Sequence, residues 1–120
     1  MNDVRLSGYV QQVNTSYEKE YDGQKYWIHS FIISLKRSNK NSDFPLIRVK
    51  SNQPDFDLKK SDYVILRGSI RTEYWKDIQG KKVLHNNRFY IITKEVKKIS
   101  PKELSDKIKE SRDMVLNSII

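Results

Sequence analysis

Apolar and polar residues alternate along most of the first hundred positions, and a period of two predicts half-buried strands rather than helices. The alternation predicts five strands, at residues 3–13, 26–37, 44–50, 62–75 and 83–97. We expect a bulge or bend at Gly8 in the first strand and a kink near Gly68 in the fourth. Five bent strands in so short a chain are typical of a small, strongly curved β-barrel.

Polar segments separate the predicted strands. Residues 14–24 are polar and end in Asp22-Gly23, which is a strong turn signal. Pro45 places the start of the third strand at an edge or at an unpaired position. Residues 51–61 are broken by polar residues and hold at most a single helical turn.

The last twenty residues change character and predict a helix. Ser100 is a suitable N-cap, Pro101 suits the first helical position, and Glu103 completes a capping box. Four apolar residues then fall on one helical face: Leu104, Ile108, Val115 and Ile119. We expect a helix over about 101–117, which either docks on the barrel or binds a partner. The chain is then one domain, with the barrel in residues 1–99 and the helix in residues 100–120.

Composition narrows the class of function. The chain has 120 residues, no cysteine, a net charge of +8 and a pI near 9.6. Such a basic domain favours polyanions, with nucleic acid ahead of anionic lipid. The lack of cysteine excludes disulfides and thiolate metal sites and fits a cytoplasmic protein. We find no signal peptide and no apolar run that could span a membrane.

The alternation also assigns the two faces of each strand. The inward set is apolar and comprises Phe31, Ile33, Leu35, Ile47, Val49, Val64, Leu66, Ile70 and Ile91. The outward set mixes rings with cations and includes Phe44, Arg48, Lys50, Arg67, Arg71, Trp75, Arg88 and Tyr90. Single-stranded nucleic acid needs this mixture, because unpaired bases stack on aromatic rings while phosphates pair with Lys and Arg.

One segment concentrates both kinds of side chain. Residues 71–82 read RTEYWKDIQGKK, with a predicted turn at 77–80. Here Tyr74 and Trp75 lie among cations, although aromatic side chains are normally buried, where they stabilise the fold. We expect the segment to reach over a nucleic-acid strand and to stack a base on Trp75. The alternative is that Trp75 packs against its own hairpin or against a second subunit.

Four stretches together resemble the bacterial single-stranded DNA-binding protein family. They are NDVRLSGYV at 2–10, FIISLKR at 31–37, YVILRGSIRTEYWKDIQGKK at 63–82 and YIITKEVKKI at 90–99. The resemblance implies a mainly β, five-stranded oligonucleotide-binding (OB) barrel, here with a C-terminal α-helix. A five-stranded barrel of the SH3 kind is the rival, although its strands are usually shorter.

The resemblance also implies a function. It is single-stranded DNA binding with little sequence preference, in replication, recombination or conjugation, by a homo-oligomer that we expect to be a dimer. The chain departs from the family in its shorter segment between the third and fourth strands. It also ends in NSII rather than in a long linker with an acidic tip. This fits a compact relative, such as a primosomal protein of the same fold or a plasmid- or phage-encoded binder.

The residue pattern and the resemblance together give a set of candidate nucleic-acid contacts. The set is Tyr26, Arg37, Phe44, Arg48, Lys50, Arg67, Arg71, Tyr74, Trp75, Lys76, Lys81, Lys82, Arg88 and Tyr90. The family match supports Trp75 directly and places Phe44 near a stacking aromatic, although Phe44 fits a core position equally well. By parity we expect Tyr26 to face outward and Trp27 to lie in the core. Tyr17 and Tyr21 fit either further stacking or a solvated loop.

Catalysis has little support in the sequence. His29 and His85 are the only histidines, and neither has the spacing of a metal ligand pair. His29 shares the inward register of its strand, so we expect it to be a packed core residue. Asp55 and Asp57 lack a partner for acid–base work. We therefore expect no enzyme activity, no cofactor and no metal.

Two other functions remain open from the sequence alone. The barrel could be a protein-interaction module whose basic face meets an acidic partner, with the terminal helix as a second contact. It could also bind RNA, because no residue can be assigned to a 2′-hydroxyl contact.

Overall fold

The computed structural model describes residues 1–103, 105 and 106, except for the side chains of residues 74, 75 and 82–87. The protein is mainly β. Its strands are β1 (Val4–Val13), β2 (Tyr17–Tyr21), β3 (Gln24–Lys36), β4 (Ser42–Asp43), β5 (Leu46–Ser51), β6 (Tyr63–Lys76) and β7 (Lys82–Ile99). The five predicted strands correspond to β1, β3, β5, β6 and β7.

These five strands pair in a closed ring. β1 pairs with β6, β6 with β7, β7 with β5, β5 with β3, and β3 returns to β1. The β5–β7 pairing is parallel and the other four are antiparallel. β2 lies outside the ring and extends the sheet beyond β3. A closed ring leaves each of the five strands with two paired neighbours.

The interior of the ring is the hydrophobic core. Phe31, Ile33, Ile47 and Val64 are completely buried, and Val10, Val49, Leu58, Leu66 and Ile91 pack with them. The inward assignments on β3 and β5 are therefore confirmed. Ile70 pairs with Ile91 and shares its inward face, as assigned, but its side chain is 47% exposed. β1 pairs with β6 only as far as Gly68, so no described strand covers Ile70 on that side.

Two short strands are absent from the sequence prediction. Residues 17–21 were expected to be a polar connection, but they pair with β3 as β2. The Asp22-Gly23 turn that joins them has positive φ at both residues, as the turn signal requires. Residues 42–43 form β4 against the end of β3. The third predicted strand begins at Leu46 rather than at Phe44, so Pro45 lies before the ladder and needs no pairing N–H.

Gly8 and Gly68 allow backbones to approach closely. A Cβ on Gly8 would collide with the carbonyl oxygen of Ser34, and one on Gly68 with the carbonyl oxygen of Ile92. The bulge expected at Gly8 lies elsewhere: the register of β1 against β3 shifts between Val10 and Gln12. The kink expected near Gly68 coincides with a register shift between β6 and β7.

Beyond the ring, β6 and β7 continue as a two-stranded arm. Within the described part of the chain, residues 71–90 pair only with each other, and their backbone ladder runs to Lys76 and Lys82. The predicted turn closes the arm and is organised by Asp77. Its Oδ1 accepts hydrogen bonds from the backbone N–H groups of Gln79 and Lys81, at 3.0 and 2.8 Å. The sequence predicts this turn correctly.

A helix begins after β7. Residues 101–103 and 105–106 are helical, and Ser100 Oγ accepts a hydrogen bond from the backbone N–H of Glu103 at 3.3 Å. The rest of the helix predicted to residue 117, with all four of its apolar positions, lies outside the described residues. In the described chain no helix has the length and apolar character needed to cross a membrane.

Candidate nucleic-acid interface

Ladder register brings six of the fourteen predicted contact residues onto one outer face of the sheet. Arg48 on β5 pairs with Ile92 on β7, and Arg71 on β6 pairs with Tyr90 on β7. Paired residues share a face of the sheet, and residues two apart on a strand share it too. We call the resulting surface the basic aromatic face. Its members are Tyr26, Arg48, Lys50, Arg71, Glu73, Arg88 and Tyr90.

Arg48 has both an aromatic and an acidic partner on this face. Its guanidinium lies 4.1 Å from the centre of the Tyr90 ring, within cation–π range. Its Nη2 donates a hydrogen bond of 2.9 Å to Oε1 of Glu73. The Nη1 of Arg88 lies 3.7 Å from the other oxygen of the same carboxylate. Glu73 thus joins two predicted contact residues, a role that the sequence did not suggest.

A second ring and cation pair lies along the same face. The Nζ of Lys50 is 4.4 Å from the centre of the Tyr26 ring. Tyr26 is half-buried, with the remainder of its ring open to solvent. Trp27 is also half-buried rather than enclosed in the core as expected. Tyr26 and Tyr90 therefore each carry a cation over the ring.

β2 extends the basic aromatic face. Tyr17 pairs with Ile28 and Lys19 pairs with Tyr26, so Tyr17, Lys19 and Tyr21 lie on the side of Tyr26. Tyr17 and Tyr21 are 40% and 78% exposed. The sequence left these tyrosines between two interpretations. The alternation of residues in YEKEY was the one signal in the sequence for strand β2. The segment lacks the aliphatic residues that mark a half-buried strand.

The arm supplies the remaining members of the predicted set. Arg71, Lys76 and Lys81 are exposed, the last two beside the turn. The backbone of Trp75 pairs with that of Val83. The side chains of Tyr74, Trp75 and Lys82 lie outside the described residues, so their predicted contacts stay predictions.

Three predicted contact residues lie apart from the contacts just described. Arg37 follows the end of β3 and lies 3.9 Å from the carboxylate of Asp43. Phe44 precedes β5 and is 56% exposed, so its alternative placement in the core is wrong. Arg67 points to the carboxylate of Asp3 near the start of the chain.

Arg67 also lines a basic cleft formed by residues of β1, β5, β6 and β7, with a volume of about 860 Å³. Its other cationic residues are Arg5, Lys50, Arg71, Lys94 and Lys97. Arg67 donates to both oxygens of Asp3, at 2.8 and 2.9 Å. These hydrogen bonds lower the pKa of Asp3 and raise that of Arg67. A phosphate in the cleft would compete with Asp3 for this guanidinium.

This pair gives a testable pKa shift. In Arg67→Gln, the pKa of Asp3 should rise toward the ordinary range of an aspartate, because its strongest partner is gone. A lowered native pKa means that the pair stabilises the fold above the unfolded-state pKa. That contribution disappears as pH falls through the native value. Carboxyl-carbon NMR titration of both proteins measures the shift. If the pKa of Asp3 is unchanged in the variant, its lowering is caused by Arg5, the other nearby cation.

His29 belongs to the core, as expected. It is completely buried and stacks on Phe56, with ring centres 4.6 Å apart. Its Nδ1 lies 2.6 Å from Ser16 Oγ and its Nε2 lies 2.9 Å from the carbonyl oxygen of Gln53. Both ring nitrogens are therefore occupied. The described residues contain no group of three or more His, Asp or Glu placed to hold a metal ion.

Comparison with known proteins gives a likeness of fold. No protein-family model matches the chain, and no curated protein matches it by sequence. Among solved structures, the chain is similar to the N-terminal domain of the PriB protein from Thermoanaerobacter tencongensis, which is described as dimeric. The TM-score is 0.55 at 18% identity, covering 82% of this chain and 97% of that one. At this identity the match establishes a shared fold.

Proposed function

We propose that this protein binds single-stranded DNA with little sequence preference, through the basic aromatic face and the β6–β7 arm. The observation that carries the proposal is the pairing of half-buried surface rings with cations, Arg48 with Tyr90 and Lys50 with Tyr26. Unpaired bases stack on such rings, and the adjacent cations meet the phosphates that accompany each base. A duplex hides the faces of its bases and gains little from exposed tyrosines.

The ring of five strands is, in this proposal, an OB barrel. Such barrels bind oligonucleotides on the face of their second and third strands and on the loops after the first and fourth. Here those strands are β3 and β5, which carry Tyr26, Arg48 and Lys50. The loop after the first strand contains β2, and the loop after the fourth is the arm. The fold shared with the PriB domain supports this assignment.

The cellular role follows from the binding mode. A binder with little sequence preference suits single strands exposed in replication, recombination or conjugation. The dimeric state of the PriB domain supports a dimer for this chain, which would double the length of nucleic acid held. RNA is the competing ligand, and competition between DNA and RNA strands of equal length decides between them.

Tryptophan fluorescence during titration with oligo-dT is the direct test. We expect quenching by the single strand, because the chain has two tryptophans, Trp27 and Trp75, on or beside the proposed site. The affinity should fall with salt, with a log–log slope of about 0.7 for each phosphate contact. A duplex of equal length should bind much more weakly. No binding of oligo-dT by fluorescence and by a label-free assay would overturn the proposal and favour an acidic protein partner.

A further inference from the structure

Glu73 is the acidic member of the basic aromatic face. It lies on β6, and its carboxylate bridges Arg48 from β5 and Arg88 from β7. The side chains of Glu73 and Arg48 are about three-quarters buried, whereas that of Arg88 is 66% exposed. A carboxylate held by two guanidinium groups occupies a position in which arginines commonly bind a phosphate.

We propose that Glu73 holds this phosphate position in the free protein and is displaced by the nucleic-acid backbone on binding. The inference rests on the proposed function. It adds that the Glu73 carboxylate competes with the phosphate for the two arginines. Two anions cannot share the space between Arg48 and Arg88 without strong repulsion. A phosphate that reaches both arginines must therefore first move the carboxylate of Glu73 toward solvent.

The hydrogen bonds of Arg48 favour such an exchange. Its Nε–H is buried and has no acceptor among the described residues, although Nη2 is bound to Glu73. A buried donor without a partner costs free energy. A phosphate has more acceptor oxygens than a carboxylate and can take two donors from one guanidinium. Arg48 would gain a partner for Nε while it keeps its contact with Tyr90.

The contact with Glu73 also has a use in the free protein. It holds the Arg48 guanidinium over the Tyr90 ring, so the cation and the ring are in place before a strand arrives. It also reduces the positive charge of the face. Anions that cannot stack on the rings are therefore bound more weakly. A strand that offers both bases and phosphates overcomes the competition, whereas a simple phosphate ion does not.

Replacing the carboxylate tests the inference. Glu73→Gln should bind oligo-dT about three- to tenfold more tightly at low salt, because two partly exposed ion pairs no longer oppose binding. The salt slope should stay close to that of wild type, because the same phosphates contact Arg48 and Arg88 in both proteins. Glu20→Gln is the matched control. It removes the same charge from an exposed position on β2, with the side chain on the opposite face from Tyr21.

The outcomes separate this inference from the proposed function. If wild type binds oligo-dT and Glu73→Gln behaves like Glu20→Gln, Glu73 does not compete and the inference alone fails. Weaker binding by Glu73→Gln also overturns it, since Glu73 then only positions Arg48. If wild type does not bind oligo-dT, the proposed function fails as well.

A measurement on wild type covers the case in which the variant does not fold. Carboxyl-carbon NMR should show the Glu73 signal moving toward that of a solvent-exposed glutamate as oligo-dT saturates the protein. A Glu73 signal that stays unchanged at saturation overturns the inference.

Discussion

Trp75→Ala should weaken the binding of oligo-dT by about 1–3 kcal/mol, which is the contribution of stacking one base on an aromatic ring. The dissociation constant should rise by about five- to 150-fold. The backbone of Trp75 lies on the arm, opposite Val83 and two residues before the turn organised by Asp77. A fluorescence anisotropy titration with a labelled oligo-dT measures the change without using the tryptophan as the reporter.

Ile78→Ala is the control for that variant. Ile78 lies in the turn of the same arm and is fully exposed, but it has no π-face on which a base can stack. We expect its affinity to match that of wild type. Wild-type affinity in Trp75→Ala would remove Trp75 from the interface. An equal loss in both variants would show that the arm acts through its apolar surface rather than through stacking.

The arm differs from the ring strands in its pairing. A ring strand has partners on both sides, whereas residues 71–90 pair only with each other in the described chain. Glu73 near the base of the arm packs against Arg48 of β5, whereas residues 76–81 at its end are all exposed. The run of cations from Arg71 to Lys81 keeps such a segment solvated and attracts phosphate at the same time.

The alternation of residues was enough to predict the ring strands, and the reason is physical. Each ring strand buries one face, so its apolar residues recur at every second position, as Phe31 and Ile33 do. β2 has all five residues exposed and lacks that contrast. Ile70 has the correct parity for burial, but burial also needs a covering strand, and β1 ends short of it.

The contacts within the basic aromatic face could not be predicted from the sequence. Arg48 and Glu73 are 25 positions apart in the chain. They meet because β5, β7 and β6 are neighbours in the ring in that order. Alternation gives the face of each residue but not the register between strands, and a slip of one residue would separate the pair. The ring–cation mixture was therefore predictable, whereas the Glu73 bridge was not.

The second large effect concerns the close approach that holds β6 against β7. Gly68→Ala should lower the free energy of unfolding by about 1–3 kcal/mol, the usual cost of forcing extra atoms into a packed site. Alanine is otherwise favoured over glycine in a strand by about 0.5–1 kcal/mol. Here the collision wins, because the new Cβ would meet the backbone oxygen of Ile92, which cannot rotate away as a side chain can. Urea denaturation followed by circular dichroism measures the change.

Gly23→Asn is the matched control, since it adds a side chain where no atom lies within 4 Å. Asparagine tolerates the positive φ of that turn, so stability should change little.

Gly68 lies where β6 leaves its pairing with β1 and the arm begins. A strand forced outward there would tilt the arm and Tyr90 away from Arg48, so Gly68→Ala should also bind oligo-dT less tightly under conditions in which it remains folded. Wild-type stability in Gly68→Ala would mean that the two strands separate at this point without cost, and that the ring does not fix the direction of the arm.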